Sequence, residues 1–157
     1  MSTPDNLESL YQQIIIDHAK NPHGRGLREP YDGEKHDVNP TCGDELTVRV
    51  RLDGDGEQAT ILDISHDGQG CSISQASASI MTELLVGQSL SDGLRAQEEF
   101  LHLLQGRGKV VPDEEILGDA VAFSGVAKYP ARVKCALLAW MAWKSAVVSA
   151  VEPKVAS

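Results

Sequence analysis

The order of two hydrophobic periodicities along the chain constrains its fold most strongly. Apolar and polar residues alternate from Leu46 to Leu52, which predicts a half-buried strand, and residues 60–65 predict a partner strand after an Asp-Gly turn. From Ile73 onward the apolar spacing follows the three-and-four rule of amphipathic helices. Strands placed ahead of helices predict an α+β fold, in which a small antiparallel sheet is packed on one face by helices.

Apolar residues at helical spacing occur over most of the remaining chain. The first runs over residues 7–18, with Thr3 as a candidate N-cap and Asn21-Pro22 as the stop signal. A further short strand before Pro40 is compatible with the sequence. Later apolar stripes predict helices over residues 73–85, 90–105, 112–117 and from Tyr129-Pro130 to about residue 151.

Size and charge exclude several classes of protein. A chain of 157 residues predicts one domain over 1–157, with 1–6 and 152–157 frayed. A net charge of -9 and only 4% aromatic residues argue against a nucleic-acid partner. The longest uncharged apolar run, Cys135 to Trp143, is shorter than the ~20 residues of a membrane span. With no signal-peptide pattern at the N-terminus, we expect a cytoplasmic protein that does not enter membranes.

All three cysteines lie at junctions between predicted elements. Cys42 precedes a strand, Cys71 lies between a glycine-rich turn and a helix, and Cys135 lies near the start of the last helix. Helix N-termini favour the thiolate, which is the form that binds metals or attacks sulfur. An odd number of cysteines in a reducing compartment also argues against a disulfide scaffold.

A carboxylate accompanies the first cysteine, because Asp44 follows Cys42 by two residues. Three thiolates and one carboxylate form a four-ligand set that suits tetrahedral zinc or an iron–sulfur cluster. The alternative is that these are ordinary buried cysteines. The spacing contains no C-x-x-C pattern and leaves both readings open.

The histidines give weaker signals. His18 lies on a helical stripe and is expected to pack there, whereas His23, His36 and His102 are expected in loops or on solvated faces. His66 precedes Cys71 by five residues and is a candidate base for that thiol. A hydrogen-bonded histidine at a strand end is the favoured interpretation of His66.

Specific motifs surround the cysteines in chain order. They are LYQQIIIDH at 10–18 followed by Asn21-Pro22, NPTCGD at 39–44, GQGCSIS at 68–74, FSGV at 123–126 and YPARVKCALL at 129–138. Together they resemble the IscU/NifU-like iron–sulfur cluster assembly family, and most closely its SufU branch. The resemblance extends from about Leu7 to about Val148.

The resemblance implies a site and a reaction. By it, Cys42, Asp44, Cys71 and Cys135 hold one metal ion, which is zinc in the SufU branch. Cys42 accepts persulfide sulfur from a SufS-type cysteine desulfurase, a pyridoxal-phosphate enzyme, and the sulfur passes on to the SufBCD assembly complex. The implied function is therefore zinc-dependent sulfur transfer, with the chain acting as the partner of the desulfurase.

Two departures separate the chain from the IscU scaffold branch, which carries a histidine immediately before its third cysteine. Here that position is Lys134, and the interval between the second and third cysteines is longer, with the extra residues expected around Gly106 to Asp119. Arg132 and Lys134 are candidate supporting cations beside Cys135, or merely solvated residues of a first helical turn. Two alternatives stay open: a scaffold that assembles a [2Fe–2S] cluster, and an adaptor domain whose zinc is purely structural.

Overall fold

A three-stranded antiparallel sheet forms the centre of the computed structural model, which describes residues 4–40 and 43–151. Strands β1 (Gly33–Asn39), β2 (Asp44–Asp53) and β3 (Thr60–Gln69) lie in the order β1-β2-β3. The helices are α1 (Pro4–Lys20), α2 (Ser72–Leu85), α3 (Leu90–Gln105), α4 (Glu114–Leu117) and α5 (Pro130–Val151), with 3₁₀ segments at Gly56–Gln58, Gly118–Ser124 and Val126–Lys128. The predicted α+β fold is confirmed.

The strand register places the start of β2 beside the end of β3. Glu45 lies opposite Gln69 across the β2–β3 ladder, and Asn39 lies opposite Asp44 across the β1–β2 ladder. The chain therefore leaves β3 for α2 at the end of the sheet at which β2 begins.

Helix α5 covers the apolar face of this sheet. Val48 and Val50 of β2 are fully buried, as are Trp140 and Trp143 of α5, and α5 contacts both β1 and β2. Gly33 permits this packing, because a Cβ at that position would overlap the carbonyl oxygen of Ala146 in α5. The sheet and α5 thus approach at backbone distance.

By length and composition, α5 is the one helix within the described ranges that could cross a membrane, with 22 residues and a mean hydropathy of 1.2. Half of its apolar window is nevertheless buried inside the protein. A core helix meets the same two criteria, and the contacts of α5 with the sheet and with α2 are those of a core helix.

The predicted helices agree with those observed, and the short strand expected before Pro40 is β1. Strand β3 extends to Gln69, beyond the predicted end at residue 65. Thr3, the expected N-cap of α1, and residues 152–157 lie outside the described ranges. That the chain works as a single domain stays a prediction.

Candidate metal centre

Three elements bring one carboxylate and two thiols to the same end of the sheet. Asp44 is the first residue of β2, Cys71 is the N-cap residue of α2, and Cys135 lies in the second turn of α5. The pairing of Glu45 with Gln69 sets Asp44 beside the turn that ends in Cys71. The β2–β3 hairpin and the packing of α5 therefore determine where the three side chains meet.

The ligating atoms of these residues form a compact group. The Cys71 backbone N–H donates to Asp44 Oδ1 at 3.3 Å, and Cys71 Sγ lies 3.6 Å from Asp44 Oδ2. One carboxylate oxygen and the two sulfur atoms all lie within 4.8 Å of one another. Asp44 and Cys135 are buried, whereas Cys71 is exposed, so the group has one face open to solvent.

The spacing of this group suits a tetrahedral zinc ion. Zn–S bonds of about 2.3 Å and Zn–O bonds of about 2.1 Å at tetrahedral angles give S···O edges of about 3.6 Å and S···S edges of about 3.8 Å. The observed 3.6 Å between Cys71 Sγ and Asp44 Oδ2 agrees with such an edge. Two thiolates and a carboxylate are also ligand types that structural and catalytic zinc sites use.

Ser74, one turn into α2, supports the group. Its hydroxyl donates to Asp44 Oδ2, lies 3.2 Å from the carbonyl oxygen of Cys135, and lies 3.8 Å from Cys71 Sγ. One buried hydroxyl thus contacts all three residues. The sequence motif around Cys71 contains Ser74 but predicts no role for it. The available signal was its spacing, three residues after an N-cap cysteine.

Two glycines allow the close approach of the elements. A Cβ at Gly68 would overlap the backbone carbonyl of Glu45, so this position of β3 must lack a side chain. A Cβ at Gly70 would lie 3.0 Å from Ser74 Cβ and 3.2 Å from Asp44 Cγ. Glycine at both positions therefore lets the end of β3 pass directly beside Asp44.

The local electrostatics also favour a cation. The Cys71 side chain makes no capping hydrogen bond at the start of α2, so its sulfur is available to other partners. Two thiolates beside a carboxylate repel one another unless a positive ion lies between them. The group is therefore suited to hold a divalent cation.

Cys42, the predicted sulfur acceptor and fourth ligand, lies outside the described residues. The described chain resumes at Gly43, whose N–H donates to the carbonyl oxygen of Asn39 at 2.8 Å. The role of Cys42 stays a prediction.

The two predicted supporting cations are both exposed. The guanidinium carbon of Arg132 lies 5.4 Å from the centroid of the Tyr129 ring, an arrangement that fits a cation–π contact. Lys134 lines a shallow cavity of about 300 Å³ together with Asp37 and Pro40. Neither placement assigns them a role at the metal centre.

His66 has a structural role. Its Nε2 lies 2.7 Å from the carbonyl oxygen of His23, and burial lowers the pKa of its imidazole. The interpretation of His66 as a hydrogen-bonded strand histidine is confirmed. His18 is buried as expected, and His23, His36 and His102 are exposed as expected.

Comparisons with known proteins show which family the chain resembles. A family model described as the NifU-like N terminal domain matches residues 10–136. A Bacillus subtilis (strain 168) protein named zinc-dependent sulfurtransferase SufU is 43% identical over 148 residues, covering 94% of this chain and 95% of the relative. A Streptococcus pyogenes serotype M1 protein named iron–sulfur cluster assembly scaffold protein IscU is 39% identical over 141 residues, covering 90% and 84% of the two chains.

Solved structures share the fold. A putative SUF-system scaffold, FiSufU from Fervidobacterium islandicum AW-1, superposes with a TM-score of 0.78 at 33% identity, covering 89% of this chain and 98% of that one. A NifU-like N-terminal protein from Brucella abortus superposes with a TM-score of 0.80 over 92% of this chain and 96% of that one, and at 23% identity it supports the fold alone. The family model and the identity with these relatives show that the chain belongs to the NifU-like N-terminal domain family.

Proposed function

We propose that this chain is a zinc-dependent sulfur carrier of iron–sulfur cluster assembly in the cytoplasm. It takes sulfur from a SufS-type cysteine desulfurase and delivers it to the SufBCD complex. The observation that carries the proposal is the grouping of Asp44, Cys71 and Cys135, whose ligating atoms lie within 4.8 Å of one another. The name of the Bacillus subtilis relative, zinc-dependent sulfurtransferase, supports the choice of metal and reaction.

In this proposal Asp44, Cys71 and Cys135 supply three zinc ligands, and Cys42 supplies the fourth. Chain connectivity supports the fourth ligand, because two peptide units keep the Cα atoms of Cys42 and Asp44 within about 7 Å. Bound zinc lowers the pKa of its cysteine ligands and brings no redox chemistry of its own. Ser74 holds the Asp44 carboxylate in place through its hydrogen bond.

The sulfur transfer is a thiol–disulfide type exchange. The Cys42 thiolate attacks the terminal sulfur of the desulfurase persulfide, forming a new S–S bond as the old S–S bond breaks. The electron pair of the broken bond leaves with the desulfurase cysteine as a thiolate, and Cys42 becomes the persulfide, with the proton staying on the terminal sulfur. No external oxidant or reductant is needed.

Arg132 and Lys134 are proposed as supporting residues. Both are exposed in the first two turns of α5, ahead of or next to Cys135. Their positive charge favours an acidic partner surface over short distances.

A [2Fe–2S] scaffold is the second candidate function. It is favoured by the Streptococcus pyogenes relative, which is named an assembly scaffold and is 39% identical. Lys134 disfavours it, because an ammonium group cannot replace a histidine ligand while it stays protonated. The third candidate, an adaptor with structural zinc, predicts that Cys42 matters for folding alone.

The test is sulfur loading of purified chain by a SufS-type desulfurase. The Cys42→Ala variant should stay folded by circular dichroism, fail to stimulate the desulfurase and gain no sulfur atom in its mass spectrum. Thr41→Ala is the matched control, since it changes the neighbouring residue and keeps every thiol. Normal stimulation by Cys42→Ala would refute the acceptor role, and loss of folding without a separate effect on turnover would favour the adaptor.

A further inference from the structure

A second group of metal-ligating side chains lies at the junction of α1, α2 and the Gly118–Ser124 segment. His18 is in the last turn of α1, His23 follows that helix, Glu83 is in the last turn of α2, and Asp119 is the second residue of the 3₁₀ segment. We call these four residues the His18 cluster. None of them belongs to the thiol-containing centre.

The ligating atoms of His18, His23 and Glu83 all lie within 4.8 Å of one another, and the Asp119 carboxylate lies beside His18. His23 Nε2 lies 3.1 Å from Glu83 Oε2, and His18 Nε2 lies 3.9 Å from Glu83 Oε2 and 3.8 Å from Asp119 Oδ2. The last two separations exceed hydrogen-bond length, so neither carboxylate is hydrogen-bonded to His18 Nε2. The buried His18 ring instead lies near two carboxylates, at distances that ligands of one cation have from each other.

A supporting hydrogen bond orients the buried histidine. His18 Nδ1 lies 2.7 Å from Ser79 Oγ, and that oxygen also accepts the backbone N–H of His23 at 2.8 Å. Histidines that bind metals through one ring nitrogen almost always hydrogen-bond through the other. Ser79 therefore fixes the His18 ring with Nε2 towards the carboxylates and holds the His23 backbone on the same support.

The distances agree with the coordination sphere of a small divalent ion. Imidazole nitrogens and carboxylate oxygens bound at about 2.0–2.2 Å form tetrahedral edges of about 3.4 Å. The observed 3.1, 3.8 and 3.9 Å separations bracket that value. His18, Glu83 and Asp119 also line a cavity of about 280 Å³, which leaves room for an ion and its water.

We propose that the His18 cluster is a second metal site, which binds a divalent transition-metal ion such as Zn²⁺ or Co²⁺ through its two imidazoles and the Glu83 carboxylate, with Asp119 beside His18 as the candidate fourth ligand. This donor set contains nitrogen and oxygen only, so it differs from the thiol-containing centre in the metals that it prefers. Half-exposed side chains of His23, Glu83 and Asp119 give the ion a path from solvent. The bound ion ties α1 to α2 and to the segment ahead of α5, and it stabilises the fold by preferential binding to the native state.

The experiment is a metal titration of the full chain after one equivalent of Zn²⁺ has been added to fill the thiol-containing centre. Calorimetry with Co²⁺ should detect a second equivalent, and its binding should raise the melting temperature. The cobalt spectrum should gain ligand-field bands without the thiolate charge-transfer absorption that marks cysteine ligands. His23→Ala and Glu83→Gln, which change half-exposed side chains and spare the buried His18, should each weaken this second equivalent at least 10-fold.

His36→Ala is the matched control, because it removes an exposed imidazole on β1 that lies outside the cluster. It should bind the second equivalent like the unaltered chain. The proposal is overturned if only one equivalent binds, or if His23→Ala and Glu83→Gln bind the second equivalent unchanged. Equal weakening by His36→Ala would also overturn it, since that result indicates non-specific binding to surface histidines. Neither the titration nor its variants require sulfur transfer, and the absence of thiolate charge-transfer absorption distinguishes cobalt at the His18 cluster from cobalt at the thiol-containing centre.

Discussion

Replacing Ser74 by alanine should weaken zinc binding without removing any ligand. The hydroxyl of Ser74 donates to Asp44 Oδ2 and lies 3.2 Å from the Cys135 carbonyl oxygen, so it restrains two of the elements that carry ligands. A hydrogen bond to a charged group contributes about 1.5–3 kcal/mol. At about 1.4 kcal/mol per tenfold change in affinity, Ser74→Ala should raise the zinc Kd about 10–100-fold, which agrees with the usual effect of losing such a supporting residue.

The assay is competition between metal-free protein and a chromophoric chelator of known zinc affinity. Ser72→Ala is the matched control, because Ser72 is an exposed serine in the same helical turn. Ser74→Thr, which keeps a hydroxyl, should recover part of the lost affinity. A Kd for Ser74→Ala equal to that of the unaltered chain, with both proteins folded, would refute the supporting role of Ser74.

Three further predictions concern residues of the sheet. Asp44→Ala should lose zinc during gel filtration while Asp55→Ala, in an exposed turn, retains it; equal retention would exclude Asp44 as a ligand. Gly68→Ala should lower the free energy of unfolding by about 1–3 kcal/mol in urea denaturation, because the new Cβ overlaps the Glu45 carbonyl. Gly125→Ala is the control and should not lower it, since open space surrounds its Cβ. Equal stability of the two variants would contradict the packing argument. Burial lowers the pKa of His66, so the unfolded chain takes up a proton near pH 6.5 that the folded chain resists. The free energy of unfolding should fall by up to about 1.4 kcal/mol per pH unit as the pH drops below about 6.5. This fall should be shallower in His66→Gln, and equal slopes in the two proteins would contradict the role given to His66.

The sequence predicted the helices well because their apolar stripes are long and regular. The observed bounds of α3, Leu90–Gln105, are those expected from its apolar spacing, and α2 ends at Leu85 close to the expected stop. Helix α3 buries one face, so the period of its apolar residues carries the information directly, whereas α2 is buried on all sides from Ala76 to Thr82.

The strands were less predictable, because part of their pairing leaves no hydrophobic signal. In β1 only Gly33 and Asn39 are buried, so the strand exists through its ladder with β2 and shows no apolar alternation of its own. The extension of β3 beyond residue 65 has the same cause. His66 to Gln69 are polar residues or glycine, and they pair with Glu45 to Val48.

The candidate metal centre was partly visible in the sequence. Cysteines at element junctions and the nearby Asp44 drew attention to the residues that the fold brings together. The role of Ser74 could not be predicted, because it depends on the approach of β2 and α5 to α2, which no local sequence pattern records. The His18 cluster could not be predicted for the same reason, because its residues come from three segments that are distant in the sequence. Its exposed members have no local pattern that distinguishes them from solvated side chains.

The central claim is tested most directly by the metal and acid-labile sulfide content of the chain purified without oxygen. The zinc-dependent sulfur carrier predicts one tightly held equivalent of zinc at the centre formed by Asp44, Cys71 and Cys135, with no labile sulfide. Iron accompanied by a matching amount of sulfide would contradict the account and identify a cluster scaffold.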